Sequence, residues 1–228
     1  MFDVPLDFSR PIPLFPLPNF VLFPGIVHPL HIFEERYKVM VADTLRDQRL
    51  LGMAMLKVGW KCDYAGSPPI HSRVCVGRII KHVQLEDGRY DLMVQGVCRA
   101  DVEMETSGRE YRQGRLTPLP EQPMPAGQEI RVRKVLYELF TNSNLTDSPP
   151  AEAIRALLLK HVPIGIVVDA LAFGLVPEAF QRQILLEMAA PVARANHLID
   201  LLVAQARQYH PRSMSSADTN WAANINTN

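Results

Sequence analysis

Proline constrains this chain more than any other residue. Of 19 prolines in 228 residues, seven fall at Pro5, Pro11, Pro13, Pro16, Pro18, Pro24 and Pro29. Proline has no N–H for a sheet ladder and breaks a helix interior. The opening segment is therefore expected as short edge strands and turns. A second cluster, Pro118, Pro120, Pro123 and Pro125 followed by Gly127, marks a linker. Ahead of it the apolar pattern mostly alternates; behind it the pattern is helical. The reading is an α+β chain: a β-rich part over 1–118, a linker over 119–127, a helical part over 128–210, and a Ser- and Asn-rich tail over 211–228 expected to be disordered.

Within the first part, Phe20 to Phe23 reads as a short strand ended by Pro24-Gly25. Glu34 to Asp47 reads as a helix with Tyr37, Met40, Val41 and Leu45 on its apolar face. Leu50 to Val58 is expected as a strand. Val74 to Leu85 and Arg89 to Cys98 flank Asp87-Gly88, a hairpin signal. Ala100 to Glu105 and Tyr111 to Thr117 follow as further strands. Val74, Val76 and Ile80 on one face of the 74–85 strand, and Cys75, Ile79 and Val83 on the other, suit a small closed barrel. Read as a two-residue turn, Asp87-Gly88 pairs Cys75 with Ala100 and Cys98 with Gly77. Five helical patterns follow the linker. The first carries Ile130, Val135, Leu136 and Leu139, and the second starts with Ser148 as N-cap and Pro149 near N1.

The composition excludes several functions. Lys and Arg number 24 and Asp and Glu 24, and up to Pro118 the balance is 15 against 14. Phosphate-dominated nucleic-acid binding needs a cationic excess. Cys62, Cys75 and Cys98 have neither zinc-finger spacing nor a disulfide count. There is no phosphate-binding G-x-x-x-x-G-K-[ST], no G-x-S-x-G, no G-x-G-x-x-G and no H-E-x-x-H. His28 and His31 read as turn or strand histidines, not ligands. No nucleophile, base and orienter occur together. We expect no catalytic residue, no metal and no cofactor. The acidic N-terminus and the lack of a long apolar run predict a cytoplasmic protein without a membrane span.

The segment from Ile12 to Gly25, IPLFPLPNFVLFPG, strongly resembles the opening of the Lon protease N-terminal substrate-binding domain. It continues as Pro29-Leu30-His31-Ile32-Phe33-Glu34-Glu35-Arg36-Tyr37, similar to small bacterial proteins made of this domain alone. Val76-Gly77-Arg78-Ile79, then Asp87-Gly88 and Val94-Gln95-Gly96-Val97-Cys98-Arg99, match the family's hairpin. Gln183 to Glu187 with Arg194, Leu198 and Leu201-Leu202 resembles its helical half. The resemblance covers about residues 10 to 205. It implies a PUA-like β-barrel followed by an α-helical bundle, in a stand-alone form without ATPase or protease modules, so no peptidase or ATPase activity is carried over.

The motif residues Pro16, Phe23, Pro24, Gly25, Pro29, Leu30, Phe33, Glu34, Arg36, Tyr37, Gly77, Gly96 and Arg99 read mainly as architecture. The expected function is a non-catalytic module that binds unfolded or extended protein segments, an adaptor or client-binding factor in protein quality control, with a protease or chaperone as further partner. Its contacts are expected on apolar surface between the barrel and the helices, with Trp60 and Tyr64 in the 59–72 loop, and Phe173 and Phe180 near the helix junction, as peptide-binding candidates. The alternative is RNA binding, since PUA-like barrels include RNA readers, with Arg73, Arg78, Lys81 and Arg89 clustered around the hairpin.

Overall fold

The computed structural model describes residues 6–63, 66–106, 108–148 and 150–208. The tail expected over 211–228, together with Tyr64 and Pro149, lies outside them. The proline-rich opening forms β1 (Ile12–Leu17) and β2 (Val27–Ile32), and α1 (Glu35–Arg46) follows. β3 (Leu50–Met55), a 3-10 turn at Trp60–Asp63, β4 (Arg73–Gln84), β5 (Tyr90–Thr106) and β6 (Gln113–Leu119) complete the sheet. Five helices come after it: α2 (Ala126–Asn142), α3 (Ala151–Leu158), α4 (Ile164–Leu175), α5 (Ala179–Glu187) and α6 (Pro191–Gln208).

The strand order is β2-β5-β4-β3-β1-β6, and β6 also returns to β5. Five strands thus form a closed ring, with β2 attached outside it. β5 makes this possible by its length. Tyr90–Gln95 pairs β2, Arg99–Thr106 pairs β6, and β4 runs along it from Tyr90 to Asp101. Gly96 is the branch point. Its N–H donates to Ile26 O (2.8 Å), and its carbonyl accepts from Gly25 N–H (2.9 Å). A Cβ at Gly96 would lie 2.0 Å from the Phe23 carbonyl oxygen, so only glycine admits this close backbone crossing.

Ile12, Leu14, Leu50, Ala54, Val74, Val76, Ala100 and Leu116 form one apolar cluster to which every strand of the ring contributes. The opposite faces supply Phe15, Leu51, Met53, Cys75, Ile79, Leu92 and Val94 to a larger cluster shared with α1 and the later helices. β3 is buried along its whole length because it serves both.

Several elements differ from the sequence reading. β1 is not an edge strand; it lies between β3, which it pairs in parallel, and β6. Proline forbids donation, not acceptance. Leu14 N–H donates to Arg112 O, and Leu17 O accepts from Leu56 N–H, so the prolines are tolerated between them. Phe20–Phe23 is not a strand; Val21, Leu22 and Phe23 are an irregular buried plug. β3 stops at Met55 rather than Val58, and 100–105 is not a separate strand but the end of β5.

The hairpin closes through Leu85 N–H to Arg89 O around a three-residue loop with Gly88 at φ +80°. The register therefore moves by one: Cys75 faces Arg99, and Cys98 faces Val76. Bulges at Val76/Gly77 and Ile79/Lys81 carry the end of β4 past the core, leaving Ile80 and Val83 exposed.

In the helical part, α2 buries Val132, Leu136 and Phe140, while Ile130 and Val135 are exposed. Ser148 does not cap α3. Its hydroxyl donates to Leu145 O, and α3 starts after Pro150. α4 runs on through Gly174 to Leu175. Replacing Gly96 by Ala is expected to cost about 3 kcal/mol or more, because the obstacle is backbone rather than a movable side chain. A thermal melt of the variant, and of Gly127→Ala as an unobstructed control, checks it.

Candidate functional site

Arg99 is almost fully buried at the point where the helices meet the sheet. Its guanidinium grips Asp169 of α4 with two bonds, at 2.9 and 2.8 Å. Its Nε donates to Leu186 O at 3.1 Å. Arg194 of α6, fully buried, lies 2.9 Å by its Nε from the same Asp169 carboxylate and donates to Met188 O at 2.9 Å. Glu121, on the segment between β6 and α2, closes the set by pairing Arg194, with Arg99 at 3.5 Å. Phe23 lies under the Arg99 guanidinium, 5.9 Å away. Burial alone would lower the Arg99 pKa, but hydrogen bonds and charge from Asp169, with Glu121, hold it above its ordinary value. α5 has no basic residue in its last turn. Arg99 and Arg194 take its terminal carbonyls instead, joined by Arg73, which also pairs Asp101 at 2.9 Å.

Arg99, Asp169 and Glu121 of this network line a groove of about 990 Å³ between sheet and helices, with Arg194 buried behind them. Its walls are apolar: Pro118, Leu119, Pro120 and Met124 on one side, and Pro24, Val97, Ile164 and Ile166 among the rest. Gly25 (φ +82°) turns the chain here, and a Cβ on it would sit 3.6 Å from Ile166.

Among the described residues, Trp60, Phe173 and Phe180 do not line this groove. Trp60 is partly buried against the cluster inside the ring, with Lys61 Nζ 5.9 Å from its ring. Tyr64 lies outside the described residues. Phe173 is half-buried, edge-on to Phe20 (6.4 Å) and His28 (5.6 Å). Phe180 is exposed on α5.

Among the motif residues, Pro16, Pro29 and Leu30 sit in β1 and β2, and Phe23 is fully buried. Pro24, Gly25, Gly96 and Arg99 line the groove. Gly77 admits Val94, whose Cγ1 would be 2.5 Å from a Cβ there. Arg36 donates to Glu34 (3.0 and 3.2 Å) and covers the Tyr37 ring at the start of α1. Phe33 is largely exposed beside His31.

The basic residues named for the hairpin do not gather there. Arg73 and Arg89 stand at opposite ends of it, paired with Asp101 and Asp87. Burial pushes the Cys98 thiol up to about 11 and Cys75 higher still, so both stay protonated at neutral pH. Among the described residues no group of three His, Cys, Asp or Glu is placed to hold a metal ion, and no helix is long and apolar enough to cross a membrane.

Sequence reasoning missed Asp169 and Glu121. Asp169 had a signal: it is the only charged residue in the apolar run from Ile164 to Phe173, and a buried acid demands a cation.

The family model for the ATP-dependent protease La (LON) substrate-binding domain matches residues 11–204. The chain belongs to that family. Curated relatives include Lon protease 2 of Myxococcus xanthus, 23% identical over 197 residues, covering 86% of this chain. Lon protease of Methylocella silvestris is 28% identical over 189 residues, covering 82%. The chain spans about a quarter of the length of these relatives, 24% and 23%. The N-terminal domain of a Mycobacterium avium complex Lon protease superposes with a TM-score of 0.66 at 16% identity, covering 85% of this chain and 98% of that one. A Lon N-terminal domain protein from Xanthomonas campestris gives 0.56 at 22% identity, covering 89% and 99%. The likeness to both structures is one of fold: mixed α+β, a sheet followed by helices.

Replacing Asp169 by Ala leaves two buried guanidinium groups sharing the single, half-exposed Glu121 carboxylate. The expected loss is about 3–5 kcal/mol, read from the urea midpoint. At His28, burial and then Arg182 lower the folded-state pKa. The unfolded chain then binds the extra proton, so stability is present above about pH 6.5 and falls as the solution is acidified through the lowered pKa. Replacing His28 by Gln is expected to flatten that fall in melts taken between pH 7 and pH 5.

Proposed function

We propose that the chain is a non-catalytic protein-recognition module that holds extended or unfolded segments of other proteins in the groove between sheet and helices. The closed strand ring is read as a PUA-like barrel and α2–α6 as its helical bundle. The observation that carries the proposal is the groove itself: about 990 Å³ of mostly apolar wall at the junction of two packed layers. Folded monomers rarely leave such a surface uncovered without a use for it. The family's name, a substrate-binding domain, supports the same reading. Prolines wall one side, and their fixed backbone limits the ordering cost of binding. Client delivery to a protease or chaperone in the cytoplasm completes the proposal. The RNA alternative finds less support, because Arg73 and Arg89 are already neutralised.

The test is fluorescence anisotropy with labelled α-lactalbumin, reduced and carboxyamidomethylated, against its native calcium-loaded form. The unfolded form is expected to bind and the native form not. Ile166→Asp puts a charge on a half-exposed groove wall and is expected to weaken binding about tenfold without changing the melt. Equal binding of both forms, or an unaffected variant, would remove the groove from the function. Salt-sensitive capture of single-stranded RNA with no protein binding would favour the alternative.

A further inference from the structure

Glu121 differs from the other members of the charged network. Arg99, Arg194 and Asp169 are all buried side chains held by regular elements, whereas the Glu121 side chain is 47% exposed and comes from the segment between β6 and α2. It reaches the arginines from the groove side. Its place there depends on Gly165: a Cβ at that position would lie 2.9 Å from Glu121 Oε1 and 3.5 Å from Arg194 Nη2. α4 begins at Ile164, so its positive end faces the same spot. The result is a carboxylate cradle at the groove wall: the Arg99 guanidinium that lines it, the Arg194 guanidinium buried behind Glu121, and a missing Cβ. Of the two arginines' charge, buried Asp169 neutralises one unit. The residual single positive charge fits one carboxylate. It does not fit a phosphate dianion or a polyanionic backbone.

We propose that the groove selects extended segments in which one acidic side chain sits between apolar residues, and that the incoming carboxylate replaces Glu121 on Arg194 and Arg99. This rests on the protein-recognition reading above and adds its chemical preference. Exchange of one carboxylate for another never leaves the buried arginines unpaired, so the large penalty for breaking a buried ion pair is avoided. Glu121 is half in water and regains hydration when it swings out. Glu129, which also lines the groove, is committed to Arg133 at 2.9 Å. The apolar walls then provide affinity and the cradle fixes register.

The experiment uses two dye-labelled decapeptides of Leu, Val and Ala, one with a central Glu and one with Gln in its place, and unfolded α-lactalbumin as the reference. Against the whole protein, Glu121→Gln is expected to tighten the Glu peptide about tenfold and to leave the Gln peptide within about twofold. Gly165→Ala on the Glu121→Gln background fills the cradle, and Ala is a better helix residue than Gly, so the variant is expected to fold. It should bind both peptides alike. Melts of both variants confirm folding. An equal shift of both peptides in Glu121→Gln, or a Glu preference that survives Gly165→Ala, would overturn the proposal. So would failure of both peptides while α-lactalbumin still binds, in which case the recognition reading stands without the acidic preference. Failure of α-lactalbumin as well would overturn both.

Discussion

The Arg99–Asp169 pair fixes how the two halves of the chain meet. An arginine inside a strand and an aspartate inside an apolar helix are each intolerable when buried alone. Together, at 2.8 and 2.9 Å, they satisfy one another, and the Arg99 Nε reaches the end of α5. The penalty for any other placement of α4 is therefore several kcal/mol. Dispersion contacts are individually small and nondirectional, and α4 is apolar enough to slide along the sheet on packing grounds alone. The charged pair removes that freedom. Arg194 then brings α6 to the same carboxylate, so β5, α4, α5 and α6 are located relative to one point.

That point lies where it does because β5 changes partners. Its first half pairs β2 and its second half pairs β6, and Gly96 is the residue at which they part. The Gly25 turn hydrogen-bonds Gly96 through Gly25 and Ile26, and Phe23 at the end of the buried plug lies against it. A strand cannot be hydrogen-bonded on one side and also contact helices smoothly where its partner leaves. The gap that opens there is the groove, with Gly25, Gly96 and Arg99 along it. Its position thus follows from sheet topology, and its charged floor from the need to join sheet to helix.

The sequence made the arrangement legible where a single local rule dominates. Asp87-Gly88 between β-rich runs marked the hairpin, and α1 buries Tyr37, Met40 and Val41 as its periodicity required. The misreadings share a cause: tertiary pairing overrode the local rule. Pro13 and Pro16 implied an edge, but β1 is internal because its neighbours use its carbonyls and the N–H of Leu14. A bulge at Ile80 in β4, with a second at Val97 in β5, turned Ile80 and Val83 out of the core, and bulges leave no mark on alternation. Ile130 looked like core because it is apolar at a helical spacing, yet Val132, Leu136 and Phe140 form the buried stripe. The groove was not legible, since it is assembled from residues far apart in sequence. Aromatics drew attention instead, and Trp60 and Phe173 pack largely against the protein's own surface.

In the proposed role, structural and recognition demands meet in the same few residues. A floor built only for stability would be sealed, with every charge matched by a buried partner. Asp169 meets that description and Glu121 does not: it neutralises buried Arg194 from a half-exposed position on a proline-flanked segment without helix or strand. Apolar walls alone would hold any greasy segment in any register, because the hydrophobic effect has no direction. A rigid charged floor beneath them supplies direction at fixed points. On the proposed reading the Arg99–Asp169 pair stays fixed because the fold depends on it, and Glu121 beside it is the exchangeable partner that an incoming carboxylate replaces.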